Sequence, residues 1–216
     1  VLTDYQKKSR ERMVHEQLMR NGIRNRAILH AMQKVPRHFF VQEALTSQAY
    51  EDLTLPIGSG QTISRPIVVA WMTEILQPQK GLKILEIGTG CGYQTAVLAE
   101  LGLNVFSIER IPELHQSAKQ RLAKLGYTSN TLLKLSDGTL GWKEAAPFDR
   151  IMITAGGPVV PPPLLEQLAD QGLLLMPIGN DRQKQNFILL HKNNGEITKE
   201  TFGEVSFVEL IGNHGW

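Results

Sequence analysis

The chain is poor in cysteine: Cys91 stands alone among 216 residues, so no internal disulfide can form. It lacks a long apolar run. The longest uncharged stretch, 151–165, has 15 residues and is broken by Gly156, Gly157, Pro158 and the prolines 161–163. A membrane-spanning helix needs about 20 apolar residues, so none is expected. No apolar segment of signal-peptide type follows the charges that begin at Asp4, and a reducing cytoplasm is the expected home. Metal-ligand spacing is missing too, because the six histidines at 15, 30, 38, 115, 191 and 214 form no ligand motif. What is present is an ordinary globular balance, 42% hydrophobic with a net charge of +2, which excludes disorder as the dominant state.

The charge is uneven. Residues 1–40 hold nine Lys/Arg against three Asp/Glu, and the remainder has a surplus of acid. A basic segment suits nucleic acid or an acidic partner. No aromatic residues interleave these charges, however, and solvated helix faces explain them better.

Residues 1–48 read as a helical extension. Thr3-Asp4-Tyr5-Gln6 has capping-box spacing, Asn21-Gly22 is a stop, and Asn25 caps a second helix reaching Lys34. Residues 49–64 read as loop, punctuated by Pro56, Gly58 and Gly60. Ser64-Arg65-Pro66 then looks like a helix start with Ser64 as cap, and Pro78 ends that element, so 49–78 forms a loop-and-helix unit. Over 79–180 short apolar runs alternate with helical patterns. The expected strands are 82–87, 103–108, 131–135, 148–154 and 173–176, with helices over 93–101, from Pro112 to Gly126, and from the Pro161–Pro163 run through Leu168, closed by Gly172. Within 181–216, Asn193-Asn194-Gly195 between β-like stretches predicts a hairpin. The expectation is one α/β domain: a doubly wound, mostly parallel Rossmann-like sheet with an antiparallel C-terminal edge and an N-terminal helical extension.

The informative stretch is Glu86-Ile87-Gly88-Thr89-Gly90-Cys91-Gly92-Tyr93, between a strand and a helix, where open α/β sheets bind ligands. The dinucleotide spacing G-x-G-x-x-G would need glycine at Tyr93, and no Walker lysine follows. Glu86 would repel a pyrophosphate and suits a cationic ammonium group. Glu109 ends the next strand, where an acid takes both ribose hydroxyls, and Asp137-Gly138 follows the third strand, where an adenine would lie. Adenosine, an amino-acid tail and no phosphate together describe S-adenosyl-L-methionine.

These residues, with Val35–Val41, Leu55–Ser64, Ser107–Arg110, Asp137–Trp142, Pro147–Asp149 and Thr154-Ala155, resemble the protein-L-isoaspartate O-methyltransferase family, over about 35–210. The Gly-Gln-Thr-Ile-Ser segment at 60–64 is the specific part. The resemblance implies methylation of the free α-carboxylate of L-isoaspartyl, and also D-aspartyl, residues in damaged proteins. The ester then closes to a succinimide that opens partly to aspartate. It also implies site residues: Ser64 in catalysis; Gln61, Thr62, Ile63 and Ser64 at the substrate; Glu86, Gly88, Thr89, Gly90, Gly92, Glu109, Arg110, Asp137 and Gly138 at S-adenosyl-L-methionine, whose product is S-adenosyl-L-homocysteine. Glu209 departs from the family's usual Pro, Ser136 from a common Gly, and Cys91 from a frequent Ser. The expected partners are isoaspartyl proteins and peptides, with no nucleic acid, no membrane and no metal, and the expected state is a monomer.

The chemistry asks little of the side chains. A substrate carboxylate, with an ordinary pKa of about 4, is already ionised at neutral pH. Orientation and exclusion of water remain. Ser64 can accept a backbone N–H as a helix cap while its hydroxyl donates to that carboxylate. Cys91 fits a tight turn, Trp71 and Met72 read as helix packing, and Tyr93 packs either over the cofactor or on the core. Two rival readings are a methyltransferase acting on RNA or a small molecule, and a nonenzymatic nucleoside sensor.

Overall fold

The computed structural model describes residues 4–216. Thr3, and with it the predicted capping box, lies outside the described residues. Helix α1 (Asp4–Arg12) runs on as a π-helix over Met13–Met19 that buries Met13, Val14 and Leu18. Gly22 closes it with φ +99°, and the Ile23 N–H reaches back to the Leu18 carbonyl at 3.1 Å. Helix α2 (Arg26–Lys34) begins as predicted, with the Asn25 side chain accepting from the Ala27 and Ile28 N–H groups.

The stretch 49–64 is not the loop its prolines and glycines suggested. Strands β1 (Leu55–Gly58) and β2 (Gln61–Ile63) pair antiparallel, Leu55 opposite Ile63. Ser59 and Gly60 both take positive φ, +51° and +69°, which closes a two-residue hairpin. Strands of four and three residues are too short to show a period-two pattern. Helix α3 (Pro66–Ile75) follows, and its cap position is Arg65, not Ser64.

The remainder alternates β3 (Lys83–Ile87), α4 (Tyr93–Glu100), β4 (Asn104–Glu109), α5 (Pro112–Lys124), β5 (Thr131–Leu135), β6 (Phe148–Ile153) and α6 (Pro162–Gln167). Then come β7 (Leu168–Asp181), β8 (Lys184–Asn193) and β9 (Glu196–Val205). The seven-stranded sheet has the order β5-β4-β3-β6-β7-β8-β9, parallel from β5 through β7 and antiparallel at β8 and β9. The Asn194-Gly195 turn joins β8 to β9 with φ +51° and +83°, as the hairpin signal required.

One boundary moved. Helix α6 stops at Gln167, and Gly172 does not terminate it. Leu168 already pairs with Phe148, and Leu173 with Arg150, so residues 169–172 form an irregularity inside β7.

Apolar side chains pack both faces of the sheet. Leu85, Ile151, Ile153 and Leu174 belong to one cluster; Ile84, Val105, Met152 and Leu175 belong to the other. Alternate residues of one strand thus serve opposite faces, as a doubly covered parallel sheet demands. A further cluster joins the N-terminal helices to α3 and α4.

Candidate active site

Strand β3 is where the topology reverses. The chain leaves it for β4 and β5 on one side, and β6 and β7 lie on the other. A crevice of about 580 Å³ opens beyond the strand ends, as the crossover rule for such sheets predicts. Gly88 and Gly90 line it with φ +98° and +55°. A Cβ on Gly88 would run into the Thr154 hydroxyl, and one on Gly90 would meet Ile57 at 3.3 Å. Only a backbone without side chains leaves room there.

Glu109, at the tip of β4, faces the crevice and holds its rim. Its Oε2 accepts the Gly90 N–H at 2.8 Å, and its Oε1 accepts those of Arg110 and Ile111 at 2.8 and 2.9 Å. Three bonds leave a carboxylate room for one more donor. Arg110 and Gly138 also line the crevice.

Glu86 does not reach the crevice, against the expectation that it faces an ammonium group. It is fully buried beneath the glycine loop. Its Oε2 accepts from the Thr95 hydroxyl at 2.5 Å and the Ser107 hydroxyl at 2.7 Å, and Oε1 has no partner among the described residues. Burial pushes its carboxyl up to about 7; the two hydroxyl bonds oppose this and the charge of Glu109 adds to it. Thr89 is likewise buried, with its hydroxyl 2.6 Å from Ser107.

Two further expected cofactor residues, Gly92 and Asp137, have structural work in this geometry. Gly92 starts α4 at φ +90°, and a Cβ there would press on Ala118 and Leu122 at 3.4 Å, so it serves helix packing. Asp137 is occupied. Oδ1 accepts from the Thr139 N–H and hydroxyl at 2.8 and 2.7 Å, and Oδ2 accepts from the Asn213 N–H at 2.8 Å. Those bonds outweigh partial desolvation and hold its carboxyl below the usual range.

The C-terminal segment, which sequence reading left without a role, closes the crevice. Gly156 bridges to Glu209; the Gly156 N–H donates to the Val208 carbonyl at 2.8 Å and the Leu210 N–H to Gly156 at 2.7 Å. Glu209 lines the crevice with Val208 and Leu210, and Arg182 pairs with its carboxylate at 2.9 Å. Proline at 209 would keep the bridge geometry but lack this charge. No periodicity could have found the segment, because a single bridge carries no pattern.

A groove of about 1180 Å³ lies beside the crevice, between α3 and the end of β9. Ser64, Arg65, Trp71 and Phe207 line it. Trp71 therefore does more than pack, although its ring also stands edge-on to Phe187 at 5.1 Å. Thr62, Thr154 and Val208 border both spaces, so crevice and groove meet at these three residues. Gln61 lines the crevice, while Ile63 is buried and borders a smaller cavity behind the loop, which Tyr93 and Cys91 also line. Tyr93 itself is a core residue, 5.4 Å from Phe40 and with the Arg37 guanidinium 4.9 Å over its ring. Among the described residues no group of three or more His, Cys, Asp or Glu could hold a metal ion, and no helix is long and apolar enough to cross a membrane.

The profile of the protein-L-isoaspartate(D-aspartate) O-methyltransferase family matches residues 8–215. The chain belongs to that family. A protein-L-isoaspartate O-methyltransferase of Syntrophobacter fumaroxidans is 54% identical over 97% of both chains. One of Syntrophus aciditrophicus is 50% identical over 100% of this chain and 99% of its own. A solved protein-L-isoaspartate O-methyltransferase superposes with a TM-score of 0.86 at 29% identity, over 95% of this chain and 67% of that one. A Plasmodium falciparum structure described as this kind of methyltransferase, in complex with S-adenosyl-L-homocysteine, gives 0.83 at 26% identity, over 98% and 100%.

Within this isoaspartate methyltransferase fold the crevice fits the cofactor. Glu109 and Glu209 line it with Arg110, and since Arg182 pairs with Glu209, Glu109 is the acid left to face a nucleoside. The bare backbone at Gly88 and Gly90 gives close approach, and Glu109 retains acceptor capacity for one ribose hydroxyl.

Proposed function

We propose that this cleft methylates the free α-carboxylate of L-isoaspartyl and D-aspartyl residues in damaged proteins and peptides, and so starts their repair. One observation carries the reading: the crevice beyond the strand ends and the groove beside α3 share a wall at Thr62, Thr154 and Val208, with Ser64 lining the groove. A methyl donor on one side and a carboxylate on the other would meet there.

When bound, S-adenosyl-L-methionine supplies a methyl group activated by its sulfonium charge. Gly88, Gly90, Glu109 and Gly138 would hold it, with Val208 and Leu210 covering it. Ser64 donates its hydroxyl to the substrate carboxylate and orients one oxygen toward the shared wall. Gln61 and Thr62, carried on the β1–β2 hairpin, shape the approach. No general base is needed, since the nucleophile is ionised at neutral pH. Fixing the attacking oxygen and excluding water account for the acceleration. The methyl ester that forms is attacked by the neighbouring backbone nitrogen, releases methanol and gives the succinimide, which opens in part to aspartate.

The protein acts in the cytoplasm as a monomer, on peptides and not on nucleic acid. The N-terminal basic surplus supports this, because part of it is spent internally. Lys34 pairs with Glu100 at 2.8 Å, Arg37 is fully buried, and Arg10 donates to the Lys34 carbonyl at 3.0 Å.

The test supplies labelled S-adenosyl-L-methionine with an isoaspartyl peptide, its aspartyl twin and an RNA. Label in the first alone is expected. Label in RNA, or binding with no transfer to any of the three, overturns the reading.

A further inference from the structure

Sequence spacing makes Ser64 the cap of α3, yet the structure gives that work to a residue twelve positions earlier. The cap position is Arg65, whose own side chain makes no cap bond. The Ile67 N–H in the first turn instead donates to Asp52 Oδ1 at 3.3 Å. Asp52 Oδ2 takes Arg65 Nε at 3.0 Å and also accepts Arg65 Nη2. One carboxylate therefore ties down both residues that follow Ser64 on either side of Pro66. The Ser64 hydroxyl forms no hydrogen bond with another described residue.

Asp52 is itself held by a buried cation. Arg37, fully buried, donates Nε to the Ala49 carbonyl at 2.7 Å and Nη2 to the Leu53 carbonyl at 3.4 Å. These two carbonyls bracket the turn on which Asp52 stands. No carboxylate pairs directly with that guanidinium, although the charge of Asp52 acts on it favourably. Burying a charge is costly, so a rigid 49–53 turn is the return on that cost.

We propose that Asp52 is a positioning residue for methyl transfer: by capping α3 from outside and holding Arg65, it fixes the backbone that presents the Ser64 hydroxyl to the substrate carboxylate. Arg65 is extended before Pro66, so Ser64 lies one residue outside the cap and its direction is set by how Arg65 and the first turn are held. Without Asp52 both anchors of that backbone are lost and the serine is no longer aimed. The inference rests on the role proposed for Ser64.

The experiment is a double-mutant cycle of Asp52→Ala and Ser64→Ala, with Asp52→Asn beside it. Each variant is read by kcat/KM on an isoaspartyl peptide, by S-adenosyl-L-homocysteine affinity and by Tm. Asp52→Ala lowers kcat/KM about tenfold in the wild-type background, the loss expected when a cap-strength anchor is removed. In the Ser64→Ala background it lowers kcat/KM no further, while its effect on Tm is the same in both. Asp52→Asn, which caps helices as well as aspartate, regains most of the activity. Equal activity losses in both backgrounds, or an asparagine variant no better than alanine, overturn the inference alone. A Ser64→Ala enzyme with unchanged kcat/KM removes the Ser64 reading on which it stands.

Discussion

The Ser107 hydroxyl donates to Glu86 Oε2 at 2.7 Å and, with that proton committed, accepts from the Thr89 hydroxyl at 2.6 Å. A fully buried acid thus anchors the glycine loop from beneath, through a serine on the neighbouring strand, without touching the crevice. Its electrostatics have a measurable consequence. A carboxyl raised to about 7 in the fold and ordinary in the unfolded chain is protonated in the native state alone between those values. Stability from this group is full below about pH 4.5 and declines as pH rises toward 7. Glu86→Gln removes that slope. Urea unfolding between pH 4.5 and 8 should show the variant gaining on the wild type by up to about 3 kcal/mol, levelling off above pH 7. A difference independent of pH would refute it.

Glu109 does from the rim what Glu86 does from below. Its three backbone bonds fix Gly90, Arg110 and Ile111. Glu109→Ala leaves those N–H groups without their acceptor and removes the acid proposed to face the ribose. Calorimetry with S-adenosyl-L-homocysteine should show Kd rising at least about tenfold, the loss expected for bonds to a charged group.

Ser64→Ala should separate binding from chemistry. Its hydroxyl lies in the groove and outside the crevice lining. Turnover of the isoaspartyl peptide is expected to fall about tenfold or more, with cofactor affinity held within about twofold.

Cys91 is buried, and burial pushes its thiol up from the ordinary value, so it is not a thiolate at neutral pH. Folded protein at pH 8 should resist iodoacetamide and react once urea unfolds it. Cys91→Ser, which keeps the size the turn needs, should retain methyl transfer. Rapid alkylation of the native protein would contradict this account.

Gly88→Ala should be severe for two separate reasons. Its φ of +98° strains any other residue, and the new Cβ would collide with Thr154 at the wall shared by crevice and groove. Cofactor binding is expected to be lost at about the level of detection in calorimetry at micromolar protein, with the fold retained by circular dichroism.

Local rules written into the chain determined much of this. Short apolar runs and 3.6-residue patterns placed β3 to β6 and α2 to α5 within a residue or two, because a strand buried on both faces is apolar throughout and a helix buried on one face is marked at fixed spacing. Asn194-Gly195 marked its hairpin through backbone strain that few residues tolerate, and the glycine loop excluded a dinucleotide by spacing alone. Tertiary structure decided what side chains do once distant segments meet. It sank Glu86 beneath the loop, tied Asp137 to the Asn213 N–H, folded Val208–Leu210 over the crevice and brought Asp52 to the start of α3. A hydrogen bond between residues separated by a dozen or by seventy positions leaves no period in the sequence, since only the packed chain sets which donor reaches an acceptor first.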